Sequence, residues 1–462
     1  MKLSLSQVSM SIKDFFGENA VKIKARKTKF VQRLSSLDGQ RFLQTVVFGF
    51  IENPDASLND LSQVCLDLGV DITPQGLDQR INEKTVVFLK EMFAKAMDKF
   101  KNKVPLPLPI LQQFSAIYLT DSTIQSLPAN MADEFAGSGG DASEASLKVQ
   151  LVFDFLLGNL AQVAFRPGRE PDQKYRDYVD ILPPGSLSIT DLGYFCLDAF
   201  KAIMLERKAY FLSRFLTKTG LLTPAGEPIN LYEMLRSRPR QAFEINVLMG
   251  KRPQHQLPCR LICIPAPQEV ADRRRRKARE KARRRGRTPS KEYLALLSWT
   301  ILVTSVPTNM LSIQQVALLY GVRWQVELVF KLWKSYCGLK RVAGLRRERV
   351  LVELYAKMIG IVLTHFLIAP LRMPQGSQAN REISPMKVRK TFRRFARDLN
   401  RSLSSLTDFQ NVLSEMLTHI RRFGFKDKRK KEPNVCHALA LASAMCGLEV
   451  SLENYPFTIT LT

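Results

Sequence analysis

The chain has 462 residues, enough for two to four domains that each bury a core. Its 45% apolar and 24% charged residues are ordinary globular composition. The charge balance is not: 69 Lys and Arg against 43 Asp and Glu leave +26, which favours a polyanionic partner, nucleic acid first and an acidic membrane surface second. A membrane reading finds little support. The N-terminal MKLSLSQVSMSIKDFFGEN lacks the apolar core and small-residue cleavage site of a signal peptide. The most apolar stretch, residues 358–371, is shorter than the ~20 residues of a spanning helix and reads as a buried core helix. The seven cysteines show no CxxC spacing, and His255 near Cys259 and Cys263 lacks a second His. Reduced thiols in a cytoplasmic protein are therefore expected, rather than a zinc site.

Residues 1–107 read as a helical domain. Ser57 can cap a helix with Leu58, Leu61, Val64, Cys65 and Leu68 on its apolar side, and Gly69 ends it. Thr73 followed by Pro74 starts a second helix that exposes Gln75, Asp78, Gln79 and Arg80. This spacing suits a helix-turn-helix on DNA or an ordinary helical hairpin equally, and the basic surroundings tip the reading towards a DNA-binding domain, with Arg80 among its DNA contacts.

After the linker KVPLPLPI (103–110) the pattern turns to strands. FSAIYLT runs into Asp121, LKVQLVFDFLL and LAQVAF meet at a Gly158-Asn159 turn, and SLSIT runs into Asp191. A helix through residues 199–207 and the strand AYFLSRF follow. The order strand, strand, strand, helix, strand, helix, strand predicts an α/β, RNase H-like core over 108–225, a mixed sheet flanked by helices that is completed by a last helix within 307–345. Residues 226–306 between them form an inserted β-rich segment interrupted by a basic arm. From Arg273 to Arg287 that arm has 11 basic residues in 15. It predicts a solvated helix or a disordered arm, with Arg273, Arg274, Arg275 and Arg276 lying on phosphates. Residues 346–462 read as a helical C-terminal region carrying basic clusters at 389–397 and 421–431.

The segment YGVRWQVELVFKLWK (320–334), laid on a helix at about 100° per residue, puts Tyr320, Arg323, Glu327 and Lys334 within a stripe about 60° wide. Val322, Val326, Val329, Leu332 and Trp333 fall on the other side, and Trp324 reads as packing. By spacing such a helix is structural or functional with even weight.

The pattern Tyr-x2-Arg-x3-Glu-x6-Lys resembles the signature of the DDE transposases of bacterial insertion sequences, the IS-four family. TDSTIQSLP, ITDLGYF, WTILVTSVP and the 57–84 passage resemble the same family, so the likeness covers residues ~55 to 345. It implies that Asp121, Asp191 and Glu327 are a catalytic, metal-binding triad. Carboxylates suit Mg2+, two ions about 3.5–4 Å apart, with Mn2+ as a substitute. It implies further that Tyr320, Arg323 and Lys334 grip phosphates. Trp299 either stacks on a flipped base during hairpin formation or fills a core. The expected activity is cut-and-paste transposition on double-stranded DNA, both transposon ends and target. The expected setting is the bacterial cytoplasm, nucleoid-associated when bound to DNA, with no membrane partner. The expected assembly is a homodimer, with the C-terminal helices as the candidate interface. The alternatives are a catalytically silent DNA-binding descendant of such an enzyme and a stand-alone RNase H-like nuclease. All three acids are present, against the first, and the N-terminal domain and the insert are superfluous for the second.

Overall fold

The computed structural model describes residues 4–33, 35–139, 143–372, 382–427 and 439. Cys436, Cys446, His437 and the end of the 421–431 basic cluster lie outside them. The described residues form two compact units, one within 1–106, 122–170 and 327–429, the other within 107–121 and 171–326.

The first unit opens with six helices: α1 (Leu5–Phe16), α2 (Glu18–Lys27), α3 (Gly39–Glu52), α4 (Leu58–Asp67), α5 (Pro74–Arg80) and α6 (Glu83–Lys99). The expected punctuation is in place. Ser57 caps α4 in a reciprocal box with Asp60, Gly69 follows at φ +74°, and Thr73 caps α5 with Pro74 at its first turn. Phe30 stacks on Phe88 at 4.9 Å and tilts against Phe42, joining the loop after α2 to α3 and α6.

The short helix α7 (Pro109–Gln112) precedes β1 (Ile117–Leu127). This strand differs from expectation. It does not stop at Asp121 but continues six residues, because STIQSL keeps alternating, with Thr123, Gln125 and Leu127 buried and Ile124 and Ser126 exposed. The hairpin β2 (Ala145–Asp154) and β3 (Asn159–Pro167) belongs to the first unit. Its connection is Phe155–Gly158 rather than the two-residue turn predicted at Gly158-Asn159. Asp154 Oδ1 accepts the Leu157 N–H at 2.9 Å, and Gly158 takes φ +78°.

Burial pushes the Asp154 carboxyl up to about 6, with the Leu157 N–H and Arg372 pulling it partly back. A folded-state pKa above the unfolded value gives stability that is complete below about pH 4 and lost as the pH rises through 6. Asp154→Asn is therefore expected to abolish a pH-dependent loss of about 2–3 kcal/mol, read by urea unfolding on either side of that window.

In the second unit follow α8 (Asp177–Asp180), β4 (Leu187–Thr190), α9 (Leu197–Lys201), β5 (Tyr210–Arg214), β6 (Leu221–Leu222), α10 (Leu231–Arg236), β7 (Phe243–Met249), β8 (Leu257–Pro265), α11 (Gln268–Arg283), α12 (Lys291–Leu296), β9 (Trp299–Thr304) and α13 (Ile313–Val322). The strand order in this unit is β1-β4-β5-β9-β8-β7-β6, and β1, β4 and β5 are parallel. The RNase H-like order is thus present, and the insert prolongs the same sheet through antiparallel β9, β8 and β7. The basic arm is helical as far as Arg283, within α11.

The first unit closes with α14 (Trp324–Tyr336, lying in it from Glu327), α15 (Arg347–Ile368), α16 (Pro385–Ser402) and α17 (Leu406–Phe423). The apolar helix α15 packs on α3 and α6. By length and composition it could cross a membrane, but 94% of its apolar window is buried, as expected of a core helix. The predicted single signature helix is two helices. Arg323 N bonds Tyr320 O and Val326 N bonds Arg323 O, each three residues back, so the chain tightens at Arg323.

Candidate active site

The site of the second unit is built on neighbouring parallel strands. Thr120 of β1 is paired with Thr190 of β4, and Thr190 with Ser213 of β5. The next residues, Asp121, Asp191 and Arg214, therefore come up side by side. Asp191 follows the end of β4, whereas Asp121 lies inside β1. Neither is sealed from solvent.

One guanidinium serves both acids. Arg323 Nη1 stands 3.7 Å from Asp121 Oδ2, and its Nε stands 4.0 Å from Asp191 Oδ1. Arg323 is buried, whereas the two carboxylates, Asp191 above all, keep part of their surface in water. The Tyr320 hydroxyl donates to Asp191 Oδ1 at 3.3 Å, and the Arg323 guanidinium lies 5.9 Å from the Tyr320 ring. Burial, and then the charge of Asp191, raise the Tyr320 phenol far above its usual range, so it remains a donor.

Two further cations complete the surroundings: Arg214, which the sequence reading missed, and Arg274, which it placed on a phosphate-binding arm. Arg274 of α11 donates to Trp299 O and Thr300 Oγ1. Burial pushes its guanidinium down to about 10, and the charges of Arg214 and Arg273 act in the same direction. Arg274 is thus partly withdrawn from solvent instead of lying on an arm. Arg275 is likewise engaged, with Leu294 O and Ser298 Oγ, while Arg273 and Arg276 remain exposed beside an open cleft along α11. The signal for Arg214 was its place at the end of a strand parallel to the two acid-bearing strands. Nothing in RRRRK separates Arg274 from its neighbours.

The other predicted residues are placed as follows. Glu327 and Lys334 lie on α14 in the first unit, Glu327 in its first turn and Lys334 in its last. Among the described residues no three His, Cys, Asp or Glu side chains cluster as a metal set. The donor chemistry of Asp121 and Asp191, two carboxylates balanced against a guanidinium, nonetheless suits a hard divalent cation. Trp299 opens β9, half-buried, 6.0 Å from the Phe243 ring. Trp333 is fully buried and donates to His365 Nε2 at 3.0 Å, but Trp324, read as packing, is 46% exposed. Arg80 is engaged inside its own domain, donating to Leu37 O at 2.6 Å and lying over Phe30.

A family model described as the transposase DDE domain matches residues 112–363, more than half of the chain. The transposase for insertion sequence element IS1151 of Clostridium perfringens is 26% identical over 99% of both chains. The transposase for element IS231F of Bacillus thuringiensis subsp. israelensis is 27% identical, over 89% of this chain and 90% of its own length. Among solved structures, a piggyBac transposase synaptic complex with hairpin DNA aligns with a TM-score of 0.48 at 11% identity, covering 92% of this chain and 87% of that one.

Proposed function

Because the chain belongs to the transposase DDE domain family, we propose that it is a cut-and-paste enzyme that binds the terminal inverted repeats of its own element, cleaves there, and joins the 3′-OH ends to target DNA. The observation that carries the reading is the convergence of Asp121 and Asp191, from adjacent parallel strands, on Arg323 of the signature segment. Asp121, Asp191 and Glu327 would hold Mg2+, two ions in this reading. When bound, such ions activate the attacking water or 3′-hydroxyl and neutralise the leaving oxygen. Arg323 orients and charge-balances the two aspartates, and its planar fork suits a phosphate. Tyr320 donates its proton toward Asp191 and fixes that carboxylate. Lys334 grips a neighbouring phosphate, exposed Arg273 and Arg276 add backbone contacts, and Trp299 offers a ring on which an extruded base can stack in a hairpin. Two ends held in one complex call for a homodimer, working on DNA in the bacterial cytoplasm.

The test is cleavage of a duplex carrying the flanking element end. Nicks that leave 3′-OH ends at the repeat in Mg2+, and disappear with EDTA, are the expected result. Binding to the end without any cut, in Mg2+ and in Mn2+, would support a silent DNA-binding descendant in its place.

A further inference from the structure

A cleft of about 450 Å3 in the first unit lies among the last turn of α14, the loop after it, the loop between α3 and α4, and α16. Six cations line it: Lys334, Lys340, Arg341, Arg389, Lys390 and Arg393. Asp55 is the one carboxylate among its described lining residues. Among the described residues none of the six forms an ion pair, while other cations of α16 do. Arg397 pairs with Glu52 and Asp67, Arg401 with Asp67, and Lys387 with Asp427. The cleft thus gathers six cations against one carboxylate.

Part of the crowding has a structural reason. Arg389 Nη2 donates to Ile51 O at 3.1 Å and Arg393 Nε to Glu52 O at 2.6 Å, closing the C-terminal end of α3. That leaves the rest of Arg389 unexplained. The residue is 2% exposed, and its Nε and Nη1 have no oxygen or nitrogen acceptor among the described residues; beyond Ile51 O the guanidinium meets the Cys337 thiol, a weak acceptor. The guanidinium comes close enough to the Cys337 thiol to offset part of the upward push of burial there. Buried donors of a charged group left without acceptors cost about 1–3 kcal/mol, more than a surface cation would. Lys334 is held below its usual range, chiefly by burial and then by Lys340. An anion in the cleft would offset the repulsion between Lys334 and Lys340.

We propose that this cleft is a phosphate-binding site that holds the backbone of a DNA strand, with Lys340, Arg341, Lys390 and Arg393 acting together with Lys334 and with Arg389 as its buried base. The inference rests on the transposase reading above and extends it to cations outside the signature. Lys334 stands about 10 Å along α14 from Glu327, within the same unit.

The test compares full-length wild type with Lys340→Ala/Lys390→Ala, both exposed positions, and with Arg397→Ala/Arg401→Ala, which removes two paired cations from the same helix. Anisotropy of a labelled element-end duplex is read from about 50 to 200 mM salt, where each phosphate contact contributes about 0.9 to the slope of log K against log salt. The cleft variant is expected to lose about 2 from that slope and at least about tenfold in affinity, with the paired variant near wild type. Lys340→Gln/Lys390→Gln, matched to wild type by circular dichroism, is expected to repeat the loss. Equal behaviour of the cleft and paired variants overturns the inference, and does so alone if wild type still binds and cuts. A wild type that never binds the duplex overturns it together with the transposase reading. If millimolar inorganic phosphate raises the Tm of wild type only, while the DNA slope is the same in all variants, the cleft is a small-anion site and the inference also fails.

Discussion

Asp121→Asn is expected to lower strand cleavage by about 10^3- to 10^4-fold while leaving binding to the element end within a few-fold of wild type. The substitution is nearly isosteric and falls inside β1, one residue beyond the stretch paired with β4, at a side chain that is not buried, so the fold has no reason to change. It removes one of the two charges that face Arg323 and one hard oxygen donor. Transition-state stabilisation by a carboxylate-held metal is worth several kcal/mol, and each 1.36 kcal/mol is a factor of about ten in rate. Glu327→Ala on α14 is expected to be as severe. Single-turnover cleavage with Mg2+ and with Mn2+, beside a binding titration, separates chemistry from recognition. If either variant cuts within about tenfold of wild type in both metals, the triad is misassigned.

The second large effect concerns stability. Lys357 and Glu353, one turn apart on α15, are both buried and pair at 2.7 Å. Lys357 Nζ also donates to Gly338 O and Arg341 O, both at 2.9 Å, and Glu353 accepts the Ala343 N–H at 3.0 Å. The pair thereby holds the loop after α14, which carries Lys340 and Arg341. Lys357→Met is expected to cost about 3–5 kcal/mol, because it strands a buried carboxylate and leaves two loop carbonyls without their donor. Lys357→Met/Glu353→Leu should recover part of the loss, since no uncompensated charge remains. Urea unfolding measures both. A cost below about 1 kcal/mol for the single variant would show that the loop does not depend on this network.

The legible parts of the molecule are those with short-range causes. Ser57, Gly69, Thr73 and Pro74 act on the backbone within a few residues of themselves, so the α4–α5 pair follows from its own sequence. β-rich stretches placed the strands that lead into Asp121 and Asp191, and the order of strands and helices was enough to name the RNase H-like core. Where a local cause was overlooked, the reading slipped. The alternation of STIQSL prolongs β1 beyond Asp121, and the tightening at Arg323 divides the signature helix.

The identity of the charged residues that matter was not legible, because it depends on neighbours far along the chain. Arg274 and Arg276 are the same residue type in one run. Arg274 is withdrawn against β9 and Arg276 is left to solvent by the way α11 packs. Arg80, on the helix expected to face DNA, is held by Leu37 O and the Phe30 ring. Arg389 looked like one more cation in a basic stretch and is a buried base under a cleft. Periodicity reports which face of an element is apolar. It carries no information on which charge will be desolvated, since burial of a long cationic side chain is set by the surfaces that close over it.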